Sequence, residues 1–158
     1  MLKMRAALVL LAAAPSAWAA KPVVMVPEPK VKIYVTIADD SNPKHQSSLK
    51  WKLDEIRKQL SKDKGWRFQW WLQPVERRED AEVALELTDY ERRVLGRGYM
   101  DNIFLSGRIT RLPTGHPSPI QARSLEKNDA AVEERFLAAV VDAVEPWVEK
   151  SRLKQKVR

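Results

Sequence analysis

Three carboxylates are the residues of this chain most readily put to chemical use. Asp39 and Asp40 follow one alternating run, Val31 to Ile37, and Asp89 follows another, Ala81 to Thr88. If the two runs are parallel neighbours in a sheet, all three acids meet at one sheet edge. Such a cluster binds a hard cation or does acid and base work, as in a metal-dependent hydrolase. Asp39-Asp40-Ser41-Asn42-Pro43 is equally a turn, because Asp and Asn bond their own backbone and tolerate tight bends. No twelve-residue calcium loop accompanies it, and the turn is the simpler reading.

The other polar candidates carry less. With no cysteine, a zinc site would need His45, His116 and carboxylates gathered from distant segments. Ser118 lies two residues after His116, but Gly115-His116-Pro117-Ser118-Pro119 offers no rigid mount for a nucleophile and no oriented base. No catalytic residue, metal site or cofactor is assigned. Arg92, Arg93, Arg97 and Arg108, with Arg111 beyond them, suggest a basic hairpin for phosphates. Asp89 and Glu91 interleave with them, which favours local pairing instead.

Aromatic residues suit recognition better. Trp66, Phe68, Trp70 and Leu72 alternate with Arg67, Gln69 and Trp71, the pattern of a half-buried strand that turns Trp71 away from the core. Trp51 falls about 180° from the stripe Leu49, Leu53, Ile56, Leu60, at ~100° per helical residue. Tyr34, Arg67, Trp71 and Trp51 are therefore the candidate binding residues. Lys32, Thr36, Gln69, Glu82, Glu86 and Thr88 complete an open, mixed polar face on which aromatics can anchor a partner.

The elements that must position these residues follow from periodicity. Val31, Ile33, Val35 and Ile37 alternate with Lys32, Tyr34 and Thr36 as a first strand. Ser47 or Ser48 caps a helix that Gly65 ends. A second strand is expected over 66–72, a charged connector over 74–80 and a third strand over 81–88. An exposed turn over 89–100 leads to a fourth strand over 103–112, and a short fifth strand covers 120–125. Asn128 or Asp129 caps the last helix, with Glu133 and Glu134 in its first turn and a stripe of Val132, Phe136, Val140, Val144 and Trp147. Pro146 predicts a kink or break in it. The expected fold is an α+β two-layer sandwich, β-α-β-β-β-(β)-α, with a four- to five-stranded mixed sheet and both helices on one face.

Around this domain, over residues 30–149, lie three segments of different character. Residues 1–20 read as an export signal, with Lys3 and Arg5, the apolar run Ala6 to Ala14 and the small-x-small site Ala17-Trp18-Ala19. That run is too short to span a membrane, so the mature chain is expected to be soluble and either periplasmic or secreted. The absence of cysteine removes both lipid attachment at the cleavage site and disulfide staples. Residues 21–29, with Pro22, Pro27 and Pro29, read as an extended arm.

Residues 150–158 form a basic tail: Lys150, Arg152, Lys154, Lys156 and Arg158 without an acid. The whole chain carries a formal charge of +7; removing Lys3 and Arg5 leaves +5, and the tail alone is +5, so residues 20–149 are neutral. A neutral body has no overall field to attract nucleic acid. The tail would meet anionic envelope surfaces by charge alone, or simply solvate the terminus.

The phrases KVKIYVTI, WRFQWWL, DAEVALELTDYERR, IFLSGRITRLP and the closing EPWVEK resemble small exported bacterial domains of unassigned function. More remotely, the order of elements over about residues 30–150 is similar to the domain at the amino end of TolB and in curli-secretion lipoproteins. That resemblance implies a non-enzymatic adaptor that binds an envelope protein or cell-wall component. It carries no invariant motif, so no functional residue is transferred from it.

Overall fold

The computed structural model describes residues 21–94, 96, 101–125 and 129–157. The export signal over 1–20, Arg97, Asn128 and Arg158 lie outside the described residues. The chain runs β1 (Val23–Pro27), β2 (Val31–Ile37), α1 (Gln46–Ser61), α2 (Arg67–Trp71), β3 (Leu72–Val75), β4 (Val83–Arg93), β5 (Asn102–Arg111), β6 (Ser118–Ser124), α3 (Asp129–Val144) and β7 (Leu153–Val157). Five strands form one sheet in the order β3-β2-β4-β5-β6. In it β2 is parallel to both neighbours and the remaining pairs are antiparallel.

α1 packs on β2, β3 and β4, and α3 packs on β5 and β6. The strand side chains beneath them, including Ile33, Leu85, Leu87, Ile103, Leu105 and Ile109, are fully buried. Burying each such side chain contributes about 1.5–3 kcal/mol. The molecule is an α+β two-layer sandwich. Gly107 lets α3 approach closely, since a Cβ there would come 2.8 Å from the Glu86 carbonyl oxygen and 2.9 Å from Phe136 Cζ. At Pro146 the helix does break: α3 stops at Val144 and a 3-10 turn, Glu145–Trp147, follows.

Three departures from the expected elements have physical causes. The first concerns residues 66–72, where a strand was expected. Phe68, Gln69, Trp70 and Trp71 are all buried, which no half-buried strand permits, and they form the single turn α2. Gly65, at φ 78°, turns the chain into it. The Gln69 side-chain oxygen accepts hydrogen bonds from the backbone N–H of Lys64 at 2.8 Å and of Trp66 at 3.2 Å, while its amide nitrogen donates to the Gln59 carbonyl at 3.0 Å. A polar residue between aromatics thus works inward as a cap. The strand begins only at Leu72 and includes Pro74 and Val75.

The second departure is the length of β4, which continues through Asp89 to Arg93, where a turn was expected. A bulge between Leu87 and Asp89 reverses the alternation, so Tyr90 rather than Asp89 returns to the core. Third, the arm and the tail are not separate extensions. β1 and β7 pair antiparallel, Val23 with Val157 through Pro27 with Leu153, as a second, two-stranded sheet. Val24 and Val26 share one face of this ribbon with Lys154 and Lys156, and Val23, Met25 and Val157 lie exposed on the other. Among the described residues no helix is long and apolar enough to cross a membrane.

Candidate functional site

A cleft of about 820 Å³ opens at the end of the sheet where β2 and β4 begin and β5 ends. Its position follows from Pro146. Because α3 stops at Val144, the helix layer does not cover this end of the sheet, and the chain after it forms the far wall. The apolar lining comes from Val31, Val83, Leu112, Val144 and Trp147, and the charged lining from Arg78, Glu79, Glu82, Arg111, Glu149 and Arg152.

Three glutamates and three arginines balance formally, but their pairing is uneven. Arg152 grips both oxygens of Glu82, at 2.5 and 3.0 Å, and donates to the carbonyls of Pro29 at 2.7 Å and Lys30 at 2.8 Å. Those hydrogen bonds hold the Glu82 carboxyl below its usual range; partial burial opposes the shift, and the Lys32 backbone N–H at 2.9 Å supports it. Glu79 faces Arg77 at 3.9 Å. The guanidinium groups of Arg78 and Arg111 make no hydrogen bond or ion pair among the described residues, and both residues are solvent-exposed.

Arg111 had been grouped with the hairpin arginines by sequence, and the structure separates it from them. Arg92 pairs with Asp101, Arg93 with Glu91 at 2.7 Å, and Arg108 with Glu86 at 3.1 Å and Asp40 at 2.9 Å. Local pairing is therefore what the structure shows for these three. Arg111 instead ends β5 opposite Val83, in the cleft. No single signal in the sequence marks the cleft, since its lining is gathered from five separated segments of ordinary residues.

The sequence-predicted binding residues do not converge. Trp71 is 1% exposed, and its indole N–H is buried without a hydrogen-bond partner, so it is a core residue and not a surface anchor. Arg67 lies on α2 rather than on an open sheet face, and its guanidinium bridges Asp142 at 2.6 Å and Glu145 at 2.5 Å on the last helix and the turn after it. Trp51 is 48% exposed, with the Lys52 ammonium 4.1 Å from the centre of its ring. Tyr34 is half-buried on β2. The uncovered sheet face is closely laced: Phe104 lies under the guanidinium groups of Arg93 at 5.3 Å and Arg123 at 5.6 Å, and Gln121 donates to Ser106 at 3.1 Å.

Of the three carboxylates at the opposite end of the sheet, Asp40 and Asp89 are each held by partners of their own. Arg108 holds the Asp40 carboxyl below its usual range by hydrogen bonding, and Asp39 is exposed. His45 Nδ1 donates to Asp89 at 2.6 Å, and the Tyr90 backbone N–H donates to it at 2.8 Å. Burial pushes the Asp89 carboxyl up, but these hydrogen bonds and one from Asn42 outweigh it and leave it lowered. Among the described residues no group of three or more histidines and acids is placed to hold a metal ion.

In the tail, Arg152 is committed to Glu82, and the Lys156 ammonium lies 4.7 Å from the centre of the Trp70 ring. Lys150 precedes β7, and Lys154 lies within it, both exposed.

The fold defines an α+β sandwich with a charged and apolar cleft at one end. No family model matches the chain, and no curated protein matches it. Among solved structures it is similar to a hypothetical protein from Chlamydia trachomatis, with a TM-score of 0.40 and 12% identity over 75% of this chain and 97% of that one.

Proposed function

We propose that this chain is an exported, non-enzymatic binding domain of a bacterial envelope and that the cleft at the base of its sheet is the ligand site. One observation carries the proposal: an opening of about 820 Å³ joins an apolar lining to two arginines with no carboxylate partner among the described residues. Ligand pockets commonly enclose about 300–1,000 Å³ with a few polar groups set among apolar ones. The described lining contains no histidine, serine, threonine or tyrosine, and Glu82 is engaged by Arg152. The charged start, apolar run and Ala17-Trp18-Ala19 site of residues 1–20 support export. The similarity in element order to TolB-type and curli-secretion domains supports an adaptor role.

The test is native mass spectrometry of the mature domain after incubation with envelope extract, beside Val148→Trp, which enlarges a half-buried residue of the cleft lining. The expected result is one stoichiometric adduct on the wild type and none on the folded variant. A wild type that stays bare, or an adduct that survives Val148→Trp, would overturn the proposal.

A further inference from the structure

We infer that the cleft takes an amphiphilic monoanion, a carboxylate carried on an apolar body, an inference that rests on the binding role proposed above. The pairing within the lining leads to it. Arg152 and Glu82 neutralise each other through a two-point pair. Arg77, outside the lining, is held by Asp80 at 2.9 Å and meets Glu79 only at 3.9 Å. What remains in the lining is Arg78 and Arg111, whose guanidinium groups have no carboxylate partner among the described residues, together with Glu79 and Glu149. A single carboxylate answers an unpaired guanidinium, whereas a dianionic phosphate would set two negative charges beside those glutamates.

The type of cation points the same way. A guanidinium presents a planar fork that matches a carboxylate with two parallel hydrogen bonds. Arg111 is fixed at the end of β5, and Arg78 comes from the link between β3 and β4, so they approach the opening from different elements. Val31, Val83, Val144 and Trp147 supply the apolar surface beside them. A small hydrophilic anion would leave that surface wet, and a neutral apolar molecule would desolvate two guanidinium groups without pairing them. An acid with a hydrocarbon body satisfies both parts.

The experiment is isothermal titration of the mature domain, below micellar concentrations, with decanoate, decanol, decyltrimethylammonium and decyl phosphate. Wild type, Arg78→Gln, Arg111→Gln and the double variant are compared. Decanoate is expected to bind saturably at one site, about tenfold or more tighter than decanol. In the double variant decanoate should fall to the level of decanol, with decanol itself unchanged. Both arginines are exposed and unpaired, so thermal unfolding of the variants should match the wild type and exclude misfolding as the cause.

The inference falls if decanoate shows no saturable binding, if decanol or the ammonium binds equally well, if decanoate affinity survives the double substitution, or if decyl phosphate binds tenfold tighter than decanoate. A cleft-dependent adduct in native mass spectrometry together with a null decanoate titration would sink the ligand class and leave the binding role standing. Loss of the adduct itself would sink the binding role.

Discussion

The Lys52 ammonium lies 2.8 Å from Glu133 Oε1, and both side chains are cut off from solvent, at 0% and 2% exposure. This pair joins α1 to α3 within the helix layer. The ammonium also lies 4.1 Å from the centre of the Trp51 ring and 5.0 Å from that of Tyr90. Glu133 had been expected to serve the helix dipole from the first turn of α3; it faces inward instead, to a cation on the neighbouring helix.

Removing one member of a buried pair strands the other charge, at a cost of about 3–5 kcal/mol. Lys52→Met should therefore lower the unfolding free energy by about that amount in urea denaturation. The double variant Lys52→Met, Glu133→Leu should recover much of the loss, because two apolar side chains need no partner. A double variant less stable than Lys52→Met alone would contradict this account of the pair.

Trp51 is half exposed, yet it covers a buried cation, so its removal should cost more than that of an ordinary surface aromatic. Trp51→Ala is expected to destabilise by about 1–2 kcal/mol, the range of a partly desolvated cation–π contact. Repeating the substitution in the Lys52→Met background should remove the contribution of that contact, which a double-mutant cycle reads directly.

Gln69→Leu keeps the size of the side chain and deletes its hydrogen bonds to Lys64, Trp66 and Gln59. Two backbone donors at the entry to α2 lose their partner. The expected loss is about 1–3 kcal/mol for a buried group left unsatisfied, accompanied by a changed near-ultraviolet signal from the tryptophans around it. An unchanged melting temperature would mean that water replaces the cap.

Acid should act through Glu82. Its carboxyl titrates below the usual value of 4.5 because Arg152 and the Lys32 N–H hydrogen-bond the charged form. A carboxyl with a lowered folded-state pKa contributes its stability above the unfolded value, and that contribution is lost as pH falls through the folded value. Amide exchange in β7 is therefore expected to accelerate relative to β5 as pH drops below that usual value of 4.5. Glu82→Gln should already show the faster exchange at neutral pH.

Gly107→Ala places a methyl group against the Glu86 carbonyl and the Phe136 ring. Overpacking of this kind costs about 1–3 kcal/mol. Adding Phe136→Leu, which shortens the opposing side chain, should recover part of the loss if contact with α3 causes it. A further loss that is merely additive would point to the Glu86 backbone as the obstacle.

β2, α1 and α3 were legible because their apolar residues repeat at the right period over a long enough run, and Pro146 marked the end of α3 correctly. The run over 66–72 misled because W-x-F-x-W-x-L satisfies strand alternation on composition alone; only the inward role of Gln69 shows that the segment curls. A bulge hid the continuation of β4, since one inserted residue moves every later side chain to the opposite face. The cleft was the least legible feature. Arg78 and Arg111 are 33 positions apart, and nothing local distinguishes Arg111 from the paired arginines of the hairpin. What sets it apart is the missing partner, a property of assembled space rather than of sequence.

The β1–β7 ribbon gives the domain a mechanical character. Val23 and Val157 are paired at its open end, and the chain leaves toward the domain at the other, past Pro27 and Leu153. Tension applied between Val23 and Val157 loads the rungs one after another, like a zipper, and not all together. The hydrogen bond from the Glu28 N–H to the Arg152 carbonyl comes next in line, and Arg152 itself forms part of the cleft wall. Force on the two strands would thus reach the cleft before it reached the five-stranded sheet.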